Sequence, residues 1–346
     1  MPIDLVRSRE RAGNLIEWVR GKGRIVIVAH DNPDPDSLAA AFALQHLFLV
    51  KTGQEATIAF GGVIGRGENQ LMVRELEIDA VPIDTLDLDE FEVVCLVDTQ
   101  PGTGNNSWPV ERPVDVVIDH HPLRSSSCWG CRWVDVREDY GACATILFEY
   151  LLSQDVYLST KLATILFYAI KSETQDLGRE WHRADRDAYL HLVPLVNNRI
   201  LFKITHPESP RAYFGSYNRA IENARIYEDV LVFNLYEIDH PDIVAEMADF
   251  LLRVEGVETV LGMGHYGEKE VLSLRTLRQP LVAGDIMQQV VGDLGTAGGH
   301  GMTAGGQIRP FLGGAAVQRE LEVTLTRRLL EALEMKPLRG KKLLPS

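Results

Sequence analysis

The chain has 346 residues and a formal net charge of −14, a length that suits roughly two domains of ~150 residues each. Hydrophobic residues make up 45% and charged residues 24%, which excludes a disordered chain, a collagen-like repeat and a disulfide scaffold. The acidic balance argues against a groove for long nucleic acid, which needs clustered Lys and Arg to displace counterions; a small phosphorylated ligand stays compatible if bound cations supply positive charge locally.

The first predicted element is an amphipathic helix over residues 4–21, with Leu5, Leu15, Ile16, Trp18 and Val19 on its apolar face. Residues 24–29 form a β-branched run that reads as a buried parallel strand. It leads into His30-Asp31-Asn32-Pro33-Asp34-Pro35-Asp36-Ser37 and then an Ala- and Leu-rich helix over 38–50, with Asp36 or Ser37 as its cap. The unit recurs: strands are expected at 56–60, at 92–97 ending on Asp98, and at 115–118 ending on Asp119. Strands alternating with helices predict a mostly parallel α/β sheet, in which ligands gather beyond the carboxyl ends of the strands. Helices follow at 141–152 and 159–170, then a charged helical stretch broken at Pro194, Pro207 and Pro210.

A second domain is expected from Tyr227, with strands at 230–233, 259–262 and 271–275 and helices at 241–252 and 282–294. The glycine-rich segment 295–306 precedes a last strand and a helix over 317–333, and the basic tail is expected to fray. The predicted organisation is an α/β domain at 1–190, a helical connector at 191–226, a smaller α/β domain at 227–335 and a tail at 336–346. Residues 1–11 lack an apolar signal core, and no run approaches ~18 apolar residues, so a cytoplasmic protein with no membrane partner is expected. Of the four cysteines, Cys128 and Cys131 have CxxC spacing, but no second pair completes a zinc site. Free thiols are expected.

Chemistry concentrates at three strand ends. His30, Asp34 and Asp36 share one proline-stiffened loop, Asp98 ends a second strand, and Asp119-His120-His121 end a third. Mixed carboxylate and imidazole ligands suit Mn²⁺, Mg²⁺, Fe or Zn better than Ca²⁺. Adjacent histidines point in different directions, so one can bind metal while the other faces a substrate.

His30-x-Asn32-Pro33-Asp34-x-Asp36-Ser37, Val97-Asp98 and Asp119-His120-His121-Pro122 resemble, in order and spacing, the first three motifs of the DHH phosphoesterase superfamily. Gly298-Gly299-His300-Gly301-Met302-Thr303-Ala304-Gly305-Gly306 resembles the signature of the DHH-associated domain, and Ser273-Leu274-Arg275 its phosphate-gripping strand. The resemblance runs from about Arg24 to Glu322 and is closest to the two-domain subgroup that includes nanoRNases and pAp phosphatases. The fourth motif departs from the pattern. Glu173 stands where an Asp is expected, and Asp176 is the alternative three residues on.

The resemblance implies two divalent ions, Mn²⁺ foremost with Mg²⁺ or Co²⁺ as alternatives. His30, Asp34 and Asp98 would hold one ion, and Asp36, Asp98, His120 and Glu173 the other, with Asp98 bridging. It makes Asp98, Asp119, His120 and His121 the catalytic group, with Asp119 orienting a histidine and His121 touching the scissile phosphate. Two ions ~3.5–4 Å apart can lower the pKa of a shared water and clamp phosphoryl oxygens, giving an activated hydroxide. Arg275, Gly298, Gly299, His300, Gly305 and Gly306 would bind substrate, glycine letting backbone N–H groups approach a phosphate. Weaker candidates for lining the site are the loop around Gly61–Gly67 with Arg66 and Asn69, and the turn at 102–106. The implied substrates are short oligonucleotides, linear or cyclic dinucleotides, or pAp. The alternatives are a pyrophosphatase or exopolyphosphatase, and a catalytically decayed nucleotide-binding regulator. Homodimerisation is expected by analogy.

Overall fold

The structure, a computed structural model, describes residues 4–65, 67–208, 211–278, 280–309, 314–336 and 339–344. The chain divides into two compact units, Met1–Pro207 and Glu208–Ser346.

The first unit runs α1 (Leu5–Val19), β1 (Arg24–Val28), α2 (Pro35–Thr52), β2 (Ala56–Phe60), α3 (Gly67–Glu75), β3 (Ala80–Pro82), β4 (Phe91–Val97), β5 (Val116–Asp119), β6 (Trp133–Val136), α4 (Cys143–Ser153), α5 (Thr160–Glu173), α6 (Arg183–Leu192) and α7 (Asn198–Thr205). Its six strands are all parallel, in the order β3-β2-β1-β4-β5-β6. The strands are apolar on both sides because both sides are covered. Ile25, Ile27, Val93, Cys95, Val116 and Ile118 face the helices, whereas Val26, Val28, Val94, Leu96 and Val117 face loop residues such as Ile83, Trp108 and Cys128.

Local signals set the helix ends. The α2 N-cap is Asp34, whose side chain accepts from Ser37 N–H, with Pro35 in the first turn and Gly53 in the left-handed region closing the helix. The expected caps Asp36 and Ser37 therefore lie inside the helix. Asp36 is turned to another task, described below.

A buried ionic network locks α1, β6 and α4 together. The Arg137 guanidinium donates to Asp135, to Glu149, to the Tyr140 hydroxyl and to Ser8 Oγ. Asp135, Glu149 and Ser8 are fully buried and Arg137 nearly so. β6 escaped the sequence reading because it is only four residues long and carries a charge, Asp135, that this network neutralises.

The second unit runs α8 (Arg211–Asn223), β7 (Arg225–Tyr227), β8 (Val230–Glu237), α9 (Asp242–Leu251), β9 (Thr259–Tyr266), β10 (Lys269–Thr276), α10 (Ala283–Val291), β11 (Gly295–His300), β12 (Thr303–Ile308), α11 (Ala315–Ala332) and β13 (Lys341–Lys342). Its seven strands lie in the order β11-β12-β10-β9-β8-β7-β13, with β8 and β9 parallel and the other pairs antiparallel. Leu272 and Leu274 face the α10 and α11 side, whereas Val271 packs on the α8 and α9 side. The glycine-rich segment is not a loop before a last strand: it is the β11–β12 edge hairpin. The helices of the expected connector are shared out, α6 and α7 falling within the first unit and α8 within the second.

Replacing Arg137 with Met leaves Asp135 and Glu149 buried without their shared cation. The expected loss is about 3–5 kcal/mol of stability, read from urea unfolding of the full chain; a loss under about 1 kcal/mol would show that the network is not what joins α1, β6 and α4.

Candidate metal centre

The strand order puts β1, β4 and β5 side by side, so their carboxyl ends deliver His30, Asp98 and Asp119–His121 to one place. Two three-residue groups result, each with one ligand atom per residue within 4.8 Å of the others: His30, Asp34 and Asp98, and Asp98, His120 and His121. Asp98 belongs to both. It is buried, sits directly after β4 with φ of 57°, and its Oδ1 has no hydrogen-bond partner among the described residues. A buried aspartate in the left-handed region is costly unless the site engages its oxygens, and here only His120 Nε2 at 3.4 Å and His121 Nδ1 at 3.6 Å face Oδ1 among the described residues.

The imidazoles are set for that role. His30 Nδ1 lies 3.0 Å from the Asp31 carbonyl, and His30 Nε2 lies 3.4 Å from Asp34 and 3.7 Å from Asp98. His120 Nδ1 lies 3.0 Å from the Tyr140 carbonyl, and its Nε2 lies 3.4 Å from Asp98 Oδ1 and 3.8 Å from Asp36 Oδ2. A carbonyl can only accept, so Nδ1 carries the proton in both neutral rings and Nε2 carries the lone pair.

Asp119 holds His121 rather than His120. Its Oδ1 accepts from both histidine N–H groups and lies 2.9 Å from His121 Nδ1. Gln100, which the motif reading passed over, donates to Asp119 Oδ2 at 2.7 Å and accepts from Arg124 N–H, fixing this carboxylate from behind.

Asp36 is buried under the N-terminus of α4, where its two oxygens accept from the N–H groups of Cys143 and Ala144 at 2.7 and 2.8 Å. One carboxylate thus caps a helix and faces His120. Glu173, at the end of α5, acts through its charge on both Asp36 and His120. Asp176 is turned away, paired with Lys171 and accepting from the Tyr189 hydroxyl.

The surrounding loops brace these ligands. A Cβ on Gly61 would come within 2.0 Å of Asp31 Oδ1 and 2.2 Å of Ser107 Oγ, so only glycine lets the loop after β2 pack on the His30 loop. Asn69 donates to the Pro33 carbonyl, and the Asn105 carbonyl accepts from Asp31 N–H. Arg66 lies outside the described residues. All four cysteines are free thiols.

In the second unit, the proposed substrate residues divide. Gly298 and Gly305 are cross-strand partners on the exposed hairpin, and added Cβ atoms there would meet nothing closer than the Leu272 carbonyl, 4.0 Å from that of Gly305. A Cβ on Gly299 would strike Thr303 and Ala304 of the paired strand, and Gly306 packs against Val291. His300 ends β11, and its side chain lies outside the described residues. Arg275 is buried and already engaged: Nε bonds Asp249 at 2.5 Å, and a terminal nitrogen bonds Ser273 Oγ and the Leu274 carbonyl. In this arrangement Arg275 joins β10 to α9.

Like charge dominates the electrostatics of the centre. Burial and the nearby Asp98 push Asp36 well above the carboxylate range, with Glu173 and Asp34 adding to the effect against His120. Burial works against protonation of His30, but Asp34 and Asp98 outweigh it and lift the ring to about 10. His120 is lifted likewise, against burial, by Asp98, Asp36 and Glu173. Asp119 is held down at about 2, burial being outweighed by His121, His120 and Gln100. The site without metal thus recruits protons to offset its carboxylates, and a divalent cation would take their place. Because a metal needs the Nε2 lone pairs, Mn²⁺ affinity should rise as pH rises through the neutral range. Calorimetric titration near pH 7.5 in two buffers of different ionisation enthalpy should show about one or more protons released; identical enthalpies in both buffers would contradict this.

No helix among the described residues is long and apolar enough to cross a membrane. Residues 24–170 match the DHH family, N-terminal domain, and residues 228–322 match the DHHA1 domain. An uncharacterized protein of Methanocaldococcus jannaschii is 32% identical over 322 residues, 91% of this chain and 65% of the relative. The cyclic-di-AMP phosphodiesterase GdpP of Geobacillus thermodenitrificans is 25% identical over 331 residues, 91% of this chain and 49% of the relative. A probable manganese-dependent inorganic pyrophosphatase of Lactiplantibacillus plantarum is 26% identical over 149 residues, 43% of this chain and 47% of the relative. The chain thus spans between about half and two thirds of the length of these relatives. With both domain types matched in the order in which their motifs occur, the chain belongs to the DHH phosphoesterase superfamily.

Proposed function

We propose that this chain is a metal-dependent phosphoesterase that hydrolyses short oligonucleotides, linear or cyclic dinucleotides, or pAp. The observation that carries the reading is Asp98, buried and common to two ligand groups. His30, Asp34 and Asp98 would hold one divalent ion; Asp36, Asp98, His120 and Glu173 would hold a second. The ions, Mn²⁺ foremost, would supply Lewis-acid polarisation of a phosphoryl oxygen and an activated water.

The chain's own groups do the rest. The Asp31 and Tyr140 carbonyls keep His30 and His120 in the Nδ1–H tautomer. With Nδ1 held by Asp119, His121 meets a phosphoryl or leaving oxygen through Nε2. Its pKa is raised against burial by the Asp119 hydrogen bond, which suits it to donate a proton or a charged hydrogen bond there. Gln100 keeps Asp119 from rotating away. In the second unit, Gly298 and Gly305 expose backbone with no side chain in front of it, a surface that a sugar-phosphate can approach closely.

The second reading is pyrophosphate hydrolysis, favoured by the likeness to the manganese-dependent pyrophosphatase. That likeness covers 149 residues, whereas the likeness to the cyclic-di-AMP phosphodiesterase covers 331 and so takes in both units. Nucleotides are therefore the preferred substrates.

A Mn²⁺-supplemented panel of pApA, a cyclic dinucleotide, short and long RNA, pAp and pyrophosphate tests the choice. Release of mononucleotides from the short substrates is expected, reduced about 10²–10³-fold or more in Asp98→Ala. Turnover of pyrophosphate alone would move the chain to the second reading, and no turnover with nucleotide still bound would make it a regulator. His121→Ala should keep its Mn²⁺ content while kcat drops about 10²-fold; loss of bound Mn²⁺ in that variant would reassign His121 as a ligand.

A further inference from the structure

Asp185 belongs to none of the metal motifs, yet it is fully buried on α6. Its carboxylate accepts three strong hydrogen bonds. Oδ2 takes the N–H groups of Gly141 and His182, each at 2.7 Å, and Oδ1 takes the Thr145 hydroxyl at 2.6 Å. Burial raises its pKa, and these donors pull the other way. The Gly141 and His182 N–H groups can only donate, so Oδ2, the oxygen that faces them, accepts.

The Gly141 N–H and the Tyr140 carbonyl are the two ends of one peptide group. That carbonyl is the one 3.0 Å from His120 Nδ1. A chain of hydrogen bonds therefore runs from the Asp185 carboxylate, through a single peptide, to the imidazole whose Nε2 faces Asp98 and Asp36. The peptide is clamped on both sides. The Tyr140 hydroxyl is fixed by Arg137 and Glu149, and its ring stacks on His182 with centroids 5.1 Å apart. Residue 141 must be small, because a Cβ there would lie 2.6 Å from the Glu180 carbonyl oxygen and 3.0 Å from Asp185 Oδ2.

We propose that Asp185 is a positioning residue for the metal centre, its carboxylate polarising the Tyr140–Gly141 peptide so that the carbonyl holds His120 Nδ1–H and Nε2 is presented as the stronger ligand. This rests on the metal-centre reading above. Carboxylate–histidine–metal arrangements usually join the two side chains directly; here a peptide stands between them, and hydrogen bonds in such a chain strengthen one another.

The test compares Asp185→Asn, which keeps the shape and removes the charge, with Thr145→Val, which removes a bond to the same carboxylate but leaves the relay intact. Mn²⁺ affinity by calorimetry and melting of the metal-free chain are read for each. Asp185→Asn should bind Mn²⁺ about 10–100-fold more weakly, a loss larger than that of Thr145→Val at comparable melting temperature. Wild-type affinity in Asp185→Asn, or an equal loss in Thr145→Val, would reduce Asp185 to a cap of α6 and overturn the relay. A measurement that needs no variant stands beside these: in the Mg²⁺-loaded wild-type chain, nitrogen-15 spectra should show His120 as the Nδ1–H tautomer with a slowly exchanging ring proton. An Nε2–H tautomer would overturn the relay. A wild-type chain that takes up no Mn²⁺ would overturn the metal-centre reading itself and the relay with it.

Discussion

The molecule depends on a concentration of like charge that its fold brings together. Asp34, Asp36, Asp98 and Glu173 act on one another or on the same histidines, across the carboxyl ends of three neighbouring strands. The partners among the motif residues are imidazoles, which carry charge only when protonated. Buried carboxylates in that condition take up protons or bind a metal. Much of the nearby structure serves to hold them there. The α4 N-terminus bonds Asp36, two main-chain carbonyls set His30 and His120, and Gln100 braces Asp119.

Rigidity around the centre has a second source. The Arg137 network joins α1, β6 and α4 and fixes the Tyr140 ring. Tyr140 lends its carbonyl to His120, and α4 lends its N–H groups to Asp36. Packing far from the ligands and geometry at the ligands are therefore one problem, solved by the same residues.

The parallel sheet, its strand ends and the motif residues were legible in the sequence because β-branched runs and periodic helices carry them. What escaped depends on distant approach. Asp36 read as a metal ligand or a cap of its own helix, and only the arrival of α4 shows it bonding that helix's first N–H groups. Asp185 carries only the local mark of an acid in the first turn of α6, and its contact with the peptide 44 positions earlier leaves no trace in the sequence. The β11–β12 hairpin was hidden because glycine has low strand propensity, and the bond of Arg275 to Asp249 was hidden because the two lie 26 positions apart. At the fourth motif the spacing left Glu173 and Asp176 open; Asp176 bonds Lys171 and Tyr189, and Glu173 acts through its charge on Asp36 and His120.

The most direct test of the metal centre is its stoichiometry. Equilibrium dialysis of the metal-stripped chain against Mn²⁺, followed by elemental analysis, should give two ions per chain in the wild type. Asp98→Asn should retain its fold and fall short of two. Wild-type chain that binds no Mn²⁺, or Asp98→Asn that binds two as tightly as the wild type, would contradict a centre built around Asp98.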